Sequence, residues 1–409
     1  MNKNITRRDW LNKSATILGS SFVGAVAGFN PILGRTKVST SVNNPVRMMF
    51  NENPYGPSQV ARKAMRKAFS ESNLYSMRYA KAEFKTLMAK LNGVTPEHIA
   101  VGFGSGEILK KAALMNGIDK GELLSPSLTF ETINRFAKTM KSNVKRIPMN
   151  KNIGIDLDRT AENISKRTKL IYLCNPNNPT GSIMETDQLE SFCKTLSKKS
   201  IVFVDEAYHE YVMHPNYRSM IELVKEGHNI LVSRTASKVH GLAGLRVGFA
   251  ITTPEIAKRL ESYLTDSLNI IGLRAAIASY KDKRFQDYSI DQNNRAKTII
   301  TNHLDRKGIE YLDSQTNFIF IKTGMDINDF QPAMEKNGVF VGRPFPPYNK
   351  WCRLSMAKPE EMEIFNQGMD RMSKFTPSGN SGVAYMKKGG RVGVGIAKRG
   401  FGRAMKGKK

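Results

Sequence analysis

The stretch Lys169-Leu170-Ile171-Tyr172-Leu173-Cys174-Asn175-Pro176-Asn177-Asn178-Pro179-Thr180-Gly181 joins two kinds of sequence. Its first five residues are apolar on both faces of an extended chain after Lys169. The residues that follow are turn formers, with two Asn-Pro steps close together. A short run apolar on both faces suits a strand of a mostly parallel sheet covered by helices, because a strand exposed on one side would alternate. The same grammar recurs twice downstream. Ile201–Val204 (IVFV) leads into Asp205-Glu206-Ala207-Tyr208, and Asn229–Ser233 (NILVS) leads into Thr235-Ala236-Ser237-Lys238. In open α/β sheets, ligands bind beyond the carboxyl ends of the strands. Three polar clusters at three strand ends therefore predict one shared site. Farther on, Phe318–Ile321 reads as a strand and Pro359 to Met372 as a helix, so a second, smaller layer is expected.

Length and composition agree with a large domain plus a smaller one. The chain has 409 residues, 40% hydrophobic and 24% charged, as in a soluble globular enzyme. The net charge of +27 suggests nucleic acid until it is located. Residues 381–409 hold nine Lys or Arg and no acid, and residues 1–47 hold seven against Asp9. The remaining body is a thinly basic surface that suits anionic ligands in general. Cys174, Cys193 and Cys352 are odd in number and widely spaced. That pattern argues against a disulfide framework or a zinc site, and no metal is expected.

Both ends differ from the body. Thr6-Arg7-Arg8-Asp9-Trp10-Leu11, then Lys13 and an apolar stretch from Ala15 to Phe29, resembles a twin-arginine export signal. That reading implies a periplasmic or membrane-anchored protein; the alternative is an ordinary basic N-terminus in a cytoplasmic one. Beyond about Thr376 the chain becomes Gly- and Lys/Arg-rich and is expected to be disordered. Such a tail suits an anionic surface, or no dedicated partner at all.

The chemistry is carried by four segments. In Thr235-Ala236-Ser237-Lys238, followed by Gly241-Leu242-Ala243-Gly244-Leu245-Arg246, a lysine stands among hydroxyls and an arginine that suit a phosphate. A lysine whose pKa is lowered can condense with an aldehyde. Gly104-Ser105-Gly106-Glu107 opens the helical run Ile108–Met115, and small residues there let backbone N–H groups approach an anion. Asp205 could pair with a protonated pyridine nitrogen, and Tyr208 could reach a ring hydroxyl. The loop 175–181 would present an Asn amide to the same ligand. Taken singly, each has an ordinary alternative: a surface lysine, a capped helix, a loop acid and a turn.

Together, in this order, the segments resemble the class I/II aminotransferases of the pyridoxal-phosphate (PLP) fold type I, over roughly residues 48–375. The motifs that carry the resemblance are Asn-Asn-Pro-Thr-Gly at 177–181, Asp-Glu-Ala-Tyr at 205–208, Ser-Lys at 237–238 and Gly-Leu-Ala-Gly-Leu-Arg at 241–246. Within that family the chain is most similar to histidinol-phosphate aminotransferases. The added evidence is Asn51-Glu52-Asn53-Pro54-Tyr55-Gly56-Pro57, Arg78-Tyr79, and Gly342-Arg343-Pro344-Phe345 leading to Trp351-Cys352-Arg353.

The resemblance implies a large α/β/α domain with a mostly parallel sheet and a smaller α+β domain built from both chain ends. The boundaries it suggests are a signal or anchor at 1–29, an arm and part of the small domain at 30–80, a PLP-binding domain at 81–285, a small C-terminal domain at 286–375 and a basic tail at 376–409. It makes Lys238 the lysine that forms a Schiff base with the cofactor and shuttles the proton. It makes Asp205 the partner of the pyridine nitrogen and puts Asn178 and Tyr208 on the ring hydroxyl. Ser105, Gly106, Thr235, Ser237 and Arg246 surround the phosphate. Tyr79 reaches the phosphate from a partner subunit, which implies a homodimer. Arg353, Asn317, Arg343 and Tyr55 face the substrate.

Two departures stand out. Where the family shows Pro-Thr-Tyr, this chain has Ser125-Pro126-Ser127-Leu128-Thr129-Phe130-Glu131, so either Leu128 or Phe130 covers the ring. Phe130 is preferred, because stacking needs a π face. The second departure is Gly106, where an acid is usual.

The implied reaction moves an amino group from histidinol phosphate or an amino acid to a 2-oxo acid such as 2-oxoglutarate. The alternatives are a PLP-dependent decarboxylase or lyase, and an inactive binding protein that works through its basic tail. Because the composition breaks after the last helical segment, removing residues 381–409 is expected to leave kcat nearly unchanged. A large loss of kcat in the truncated protein would place the tail at the active site.

Overall fold

The computed structural model of the chain describes residues 45–372, except 77–78 and 264–265. The export-signal reading of 1–29, Arg78 and the basic tail at 376–409 lie outside the described residues. Among the described residues no helix is long and apolar enough to cross a membrane.

The strands are β1 (Val46–Met48), β2 (Ile99–Phe103), β3 (Glu122–Pro126), β4 (Val144–Ile147), β5 (Thr168–Cys174) and β6 (Ile201–Asp205). They continue with β7 (Ile230–Thr235), β8 (Val247–Thr252), β9 (Tyr311–Leu312), β10 (Phe318–Lys322), β11 (Val339–Val341) and β12 (Trp351–Ser355). Seven of them form one sheet in the order β2-β8-β7-β6-β5-β3-β4. All its pairs are parallel except those of β8, which runs antiparallel to both β2 and β7.

The both-face apolar runs are the centre of this sheet. Val202, Val204, Ile171 and Leu173 pack into the core on one side, and Phe203, Leu231, Leu170 and Tyr172 into the core on the other. Each run is a residue or two longer or shifted relative to the sequence reading: β6 takes in Asp205, and β7 begins at Ile230 and continues through Thr235. The added residues are polar, and the sheet's hydrogen bonds carry them past the apolar run. The helical run expected at Ile108–Met115 extends to Ser105–Ile118, and the C-terminal helix spans Pro359–Arg371.

A second core joins the two ends of the described chain. β1 pairs in parallel with β11, and Val46 and Met48 pack among residues from Ala296 to Met369. β12, β10 and β9 form a separate antiparallel sheet there. The 25-residue helix Lys283–Lys307 connects this layer to the large sheet. The described part of the stretch 30–80 is divided between the layers. Val46–Met48 enters the second core, whereas Ala61 and Ala80 enter the core beneath the seven-stranded sheet. The helix Gln59–Ala68 buries only alanines, which lets it lie close against the helix Ile270–Lys281.

One crossing fixes the start of the helix Ser105–Ile118. Gly102 on β2 stands opposite Gly248 on β8, and Gly104, at φ 74°, turns the chain into the helix. A Cβ on Gly248 would collide with the backbone of Gly104 and Ser105. Gly248→Ala is therefore expected to cost about 1–3 kcal/mol, the usual range for overpacking. Chemical denaturation measures it, and an unchanged midpoint would mean that this turn gives way freely.

Candidate active site

A cavity of about 960 Å3 opens at the carboxyl ends of β5, β6 and β7. Ser105, Gly106, Phe130, Asn178, Asp205 and Tyr208 line it. So do Thr235, Ser237, Lys238, Arg246, Arg343 and Arg353. The three strand-end clusters thus converge with the start of the helix Ser105–Ile118, as expected of a parallel sheet.

Lys238 follows β7. Its Nζ donates to the Asn51 carbonyl at 3.2 Å and lies 5.4 Å from the centre of the Tyr208 ring. Its pKa is pushed down to about 8, first by burial and then by the positive charges of Arg353 and Arg246. Asp205, at the end of β6, is 2% exposed. Its Oδ1 accepts from the Ser233 hydroxyl at 2.7 Å and its Oδ2 from the Tyr172 hydroxyl at 3.2 Å. Burial raises its pKa to about 6, against the pull of those two hydroxyls.

The Tyr208 hydroxyl accepts from the Asn51 side-chain amide at 2.9 Å and from that of Asn178 at 3.1 Å. Asn178 in turn accepts on Oδ1 from Arg353 at 2.8 Å, and Arg353 also donates to the Met49 carbonyl at 2.6 Å. The buried Arg353 Nε has no partner among the described residues, and the guanidinium lies 5.6 Å and 5.5 Å from the Phe318 and Phe345 rings. Arg343 also lies over Phe345, 4.2 Å from that ring. Burial and then the nearby Arg135 lower its pKa.

A second group of donors gathers at the helix start. Thr235 donates to the Ser237 hydroxyl at 2.9 Å, and Arg246 lies 3.5 Å from that hydroxyl. Arg246 holds a left-handed backbone, φ 54°, and its guanidinium donates to the Ala243 and Phe103 carbonyls. A non-glycine residue in that region stores strain, which is a feature of sites where geometry serves function. The hydroxyls, the guanidinium and the N–H groups of the first helical turn make a cradle for a dianion.

Three of the residues singled out from sequence stand apart from this cavity. Tyr79 is 65% exposed at the start of the helix Ala80–Asn92. Tyr55 packs edge-on against Tyr288 at 5.1 Å and borders a separate small cavity. Asn317 borders that small cavity too, yet its amide donates to the same Asn51 carbonyl that receives Lys238. Of the two candidates for the ring cover, Phe130 lines the cavity. Leu128 is buried with Phe320, Phe345 and Trp351. All three cysteines are buried and unpaired.

Sequence reasoning missed the residue that ties these parts together. Asn51, at φ 57°, receives Lys238 and Asn317 on its carbonyl and donates to Tyr208. It also exchanges two hydrogen bonds with Ser355 at the end of β12. Its position in an Asn-Glu-Asn-Pro stretch, rich in turn formers, was the available signal. Ser233 and Tyr172 were missed because each reads as part of an apolar strand.

Comparison with known proteins gives this arrangement a family. Residues 43–367 match the model of the family "Aminotransferase class I and II". The chain is 32% identical over 340 residues to histidinol-phosphate aminotransferase 2 of Haemophilus influenzae, covering 82% of this chain and 91% of that protein. It is also 32% identical over 334 residues to histidinol-phosphate aminotransferase of Moorella thermoacetica, covering 79% and 84%. A solved chain from Erwinia carotovora atroseptica superposes with a TM-score of 0.78 at 32% identity, over 81% of this chain and 96% of that one. Histidinol-phosphate aminotransferase from Sinorhizobium meliloti, solved in complex with pyridoxal-5′-phosphate, superposes with a TM-score of 0.72 at 25% identity, over 80% and 90%. A lysine, a buried carboxylate and an anion cradle at the strand ends of one parallel sheet are thus found in a chain that belongs to the class I and II aminotransferase family.

Proposed function

We propose that Lys238 carries pyridoxal phosphate in this cavity and that the chain moves an amino group from histidinol phosphate or an amino acid to a 2-oxo acid such as 2-oxoglutarate. The observation that carries the reading is the convergence of Lys238, its pKa lowered to about 8, with buried Asp205 and the Arg246 cradle in one cavity.

The residues fit the cofactor. Ser105, Gly106, Thr235, Ser237 and Arg246 would hold its phosphate, Asp205 its ring nitrogen, and Asn178 and Tyr208 its ring hydroxyl. Phe130 would cover the ring. When bound, pyridoxal phosphate supplies an aldehyde that reacts with amines and a ring that accepts electrons from the substrate α-carbon. The chain supplies the rest. Asp205, as a carboxylate, favours the protonated ring nitrogen. The Nζ of Lys238 takes the α-proton as a base and returns it as an acid. Arg353, with its buried and unpartnered Nε, receives the anionic group of the substrate, and Arg343 adds charge beside it. Asn317 steadies the Asn51 carbonyl that also receives Lys238.

The exposed Tyr79 serves a partner's cofactor in this reading, so the working unit is a homodimer, and Tyr55 faces the substrate. Residues 81–285 act as the cofactor-binding part and 286–375 as the part that brings Arg353.

The direct test is a panel of amino donors assayed with 2-oxoglutarate. Glutamate formed together with the matching 2-oxo or aldehyde product is expected for histidinol phosphate or for an amino acid in the panel. Release of CO2 in place of glutamate would assign the chain to decarboxylation.

Lys238→Ala is expected to keep the fold, to lose the visible absorbance of the bound cofactor and to lower kcat by about 10²–10⁴-fold or more. In the unaltered chain only the neutral amine attacks an aldehyde. Its capture of pyridoxal phosphate should therefore accelerate as pH rises through about 8 and level off above it. A rate flat across that range would remove Lys238 from the role.

A further inference from the structure

The seat of Asp205 is built by the two strands that flank it. Register sets Cys174 of β5 and Ser233 of β7 directly opposite Asp205 of β6. Residues paired in this way share one face of a sheet, so the three form a row across neighbouring strands. Tyr172 lies two residues before Cys174 and shares that face. From one side Ser233 donates to Oδ1 at 2.7 Å, and from the other Tyr172 donates to Oδ2 at 3.2 Å. Both donors are fully buried. The Tyr172 ring is held edge-on against Phe203 at 5.7 Å, which fixes where its hydroxyl points. Cys174 turns its thiol to the Pro176 carbonyl at 3.2 Å and leaves the tyrosine as the donor on that side.

The donors are neutral. A buried arginine or lysine would also hold a carboxylate, but its charge would satisfy Asp205 and weaken its pull on any other cation. Hydroxyls keep the carboxylate ionised and leave its charge available. Without them, burial alone would drive Asp205 toward the neutral acid. At a pKa of about 6, burial outweighs both hydroxyls, and the Ala207 backbone N–H and then Lys238 add smaller pulls toward the charged form.

We propose that Ser233 and Tyr172 are positioning residues that hold Asp205 ionised and aimed into the cavity, and so set how strongly the chain prefers a ligand with a protonated ring nitrogen. The proposal rests on the reading of Asp205 as the partner of that nitrogen.

The test compares the affinity of the full chain for two ligands at pH 7. One is pyridoxal phosphate, and the other is its carbocyclic analogue with C–H in place of the ring nitrogen. The unaltered chain should prefer pyridoxal phosphate, and Asp205→Asn should abolish the preference. Ser233→Ala is expected to weaken pyridoxal phosphate about tenfold, the size of one hydrogen bond to a charged group, while the analogue changes by less than about twofold. Tyr172→Phe should act in the same direction and less strongly, since its bond is longer. Ser233→Thr, which keeps the hydroxyl, should restore the preference.

If the alanine and phenylalanine variants weaken both ligands equally, the two residues only support the fold and the proposal is overturned. The same holds if both variants leave the preference intact. If the unaltered chain shows no preference, the assignment of Asp205 itself fails, and the proposal with it. Should Ser233→Ala not fold, Tyr172→Phe decides alone, because it keeps the packed ring and removes only the hydroxyl.

Discussion

Three charged groups, Asp205, Lys238 and Arg353, are withdrawn from water around one cavity, and none of them makes an ion pair among the described residues. That is a costly arrangement. A buried charge without compensation costs several kcal/mol, of order that for an ion moved from water into a protein interior. The chain meets the cost with neutral partners: hydroxyls for Asp205, the Asn51 carbonyl for Lys238, and the Asn178 amide oxygen and Met49 carbonyl for Arg353. Much of the architecture follows from this need. The segment around Asn51 must lie across the sheet ends to deliver two carbonyls, and β12 must stand near enough for Arg353 and Ser355 to meet it.

A lowered lysine pKa is not by itself the mark of the site. Lys297, on the helix Lys283–Lys307, is also pushed down to about 8 by burial. Its Nζ donates to the Ser314 carbonyl at 2.7 Å, and it does not border the large cavity. Burial acts alike on both lysines. What sets Lys238 apart is its surroundings: two arginines add repulsion, and the cradle beside it can receive an anion that would relieve it. The depressed lysine gains its meaning from the geometry around it, as the perturbed-pKa argument requires.

Much of this was legible in the sequence, for a physical reason. Runs such as Leu170–Leu173 and Ile201–Val204 are apolar on both faces because helices cover both faces, and no amphipathic alternative fits them. The polar residues after them mark where the sheet ends. Other parts were silent. β1 has three residues, too few to show a period, and its pairing with β11 depends on chain hundreds of residues away. Ser233 and Tyr172 lie inside strands, where a hydroxyl is ordinarily read as a tolerated polar atom. Asn51 is one asparagine among several, and only the fold shows four groups converging on it. Tyr55 and Tyr79 were recognisable as members of motifs, but in the fold neither lines the large cavity: Tyr79 is exposed and Tyr55 packs against Tyr288.

The pairing of β1 with β11 also imposes an order on the molecule's birth. A ribosome releases Val46–Met48 about 290 residues before Val339–Val341, and closing so long a loop is slow and entropically unfavourable. The seven-stranded sheet can form from residues already made, while the segment carrying Asn51 waits without its strand partner. Lys238 and Tyr208 take a carbonyl and an amide from Asn51, and Asn317 and Ser355 of the C-terminal layer hold that same residue. A nascent chain stopped short of β11 would hold a sheet with an open mouth. Synthesis of the C-terminal layer is what adds the second wall of that mouth, through Val341, Arg343 and Arg353.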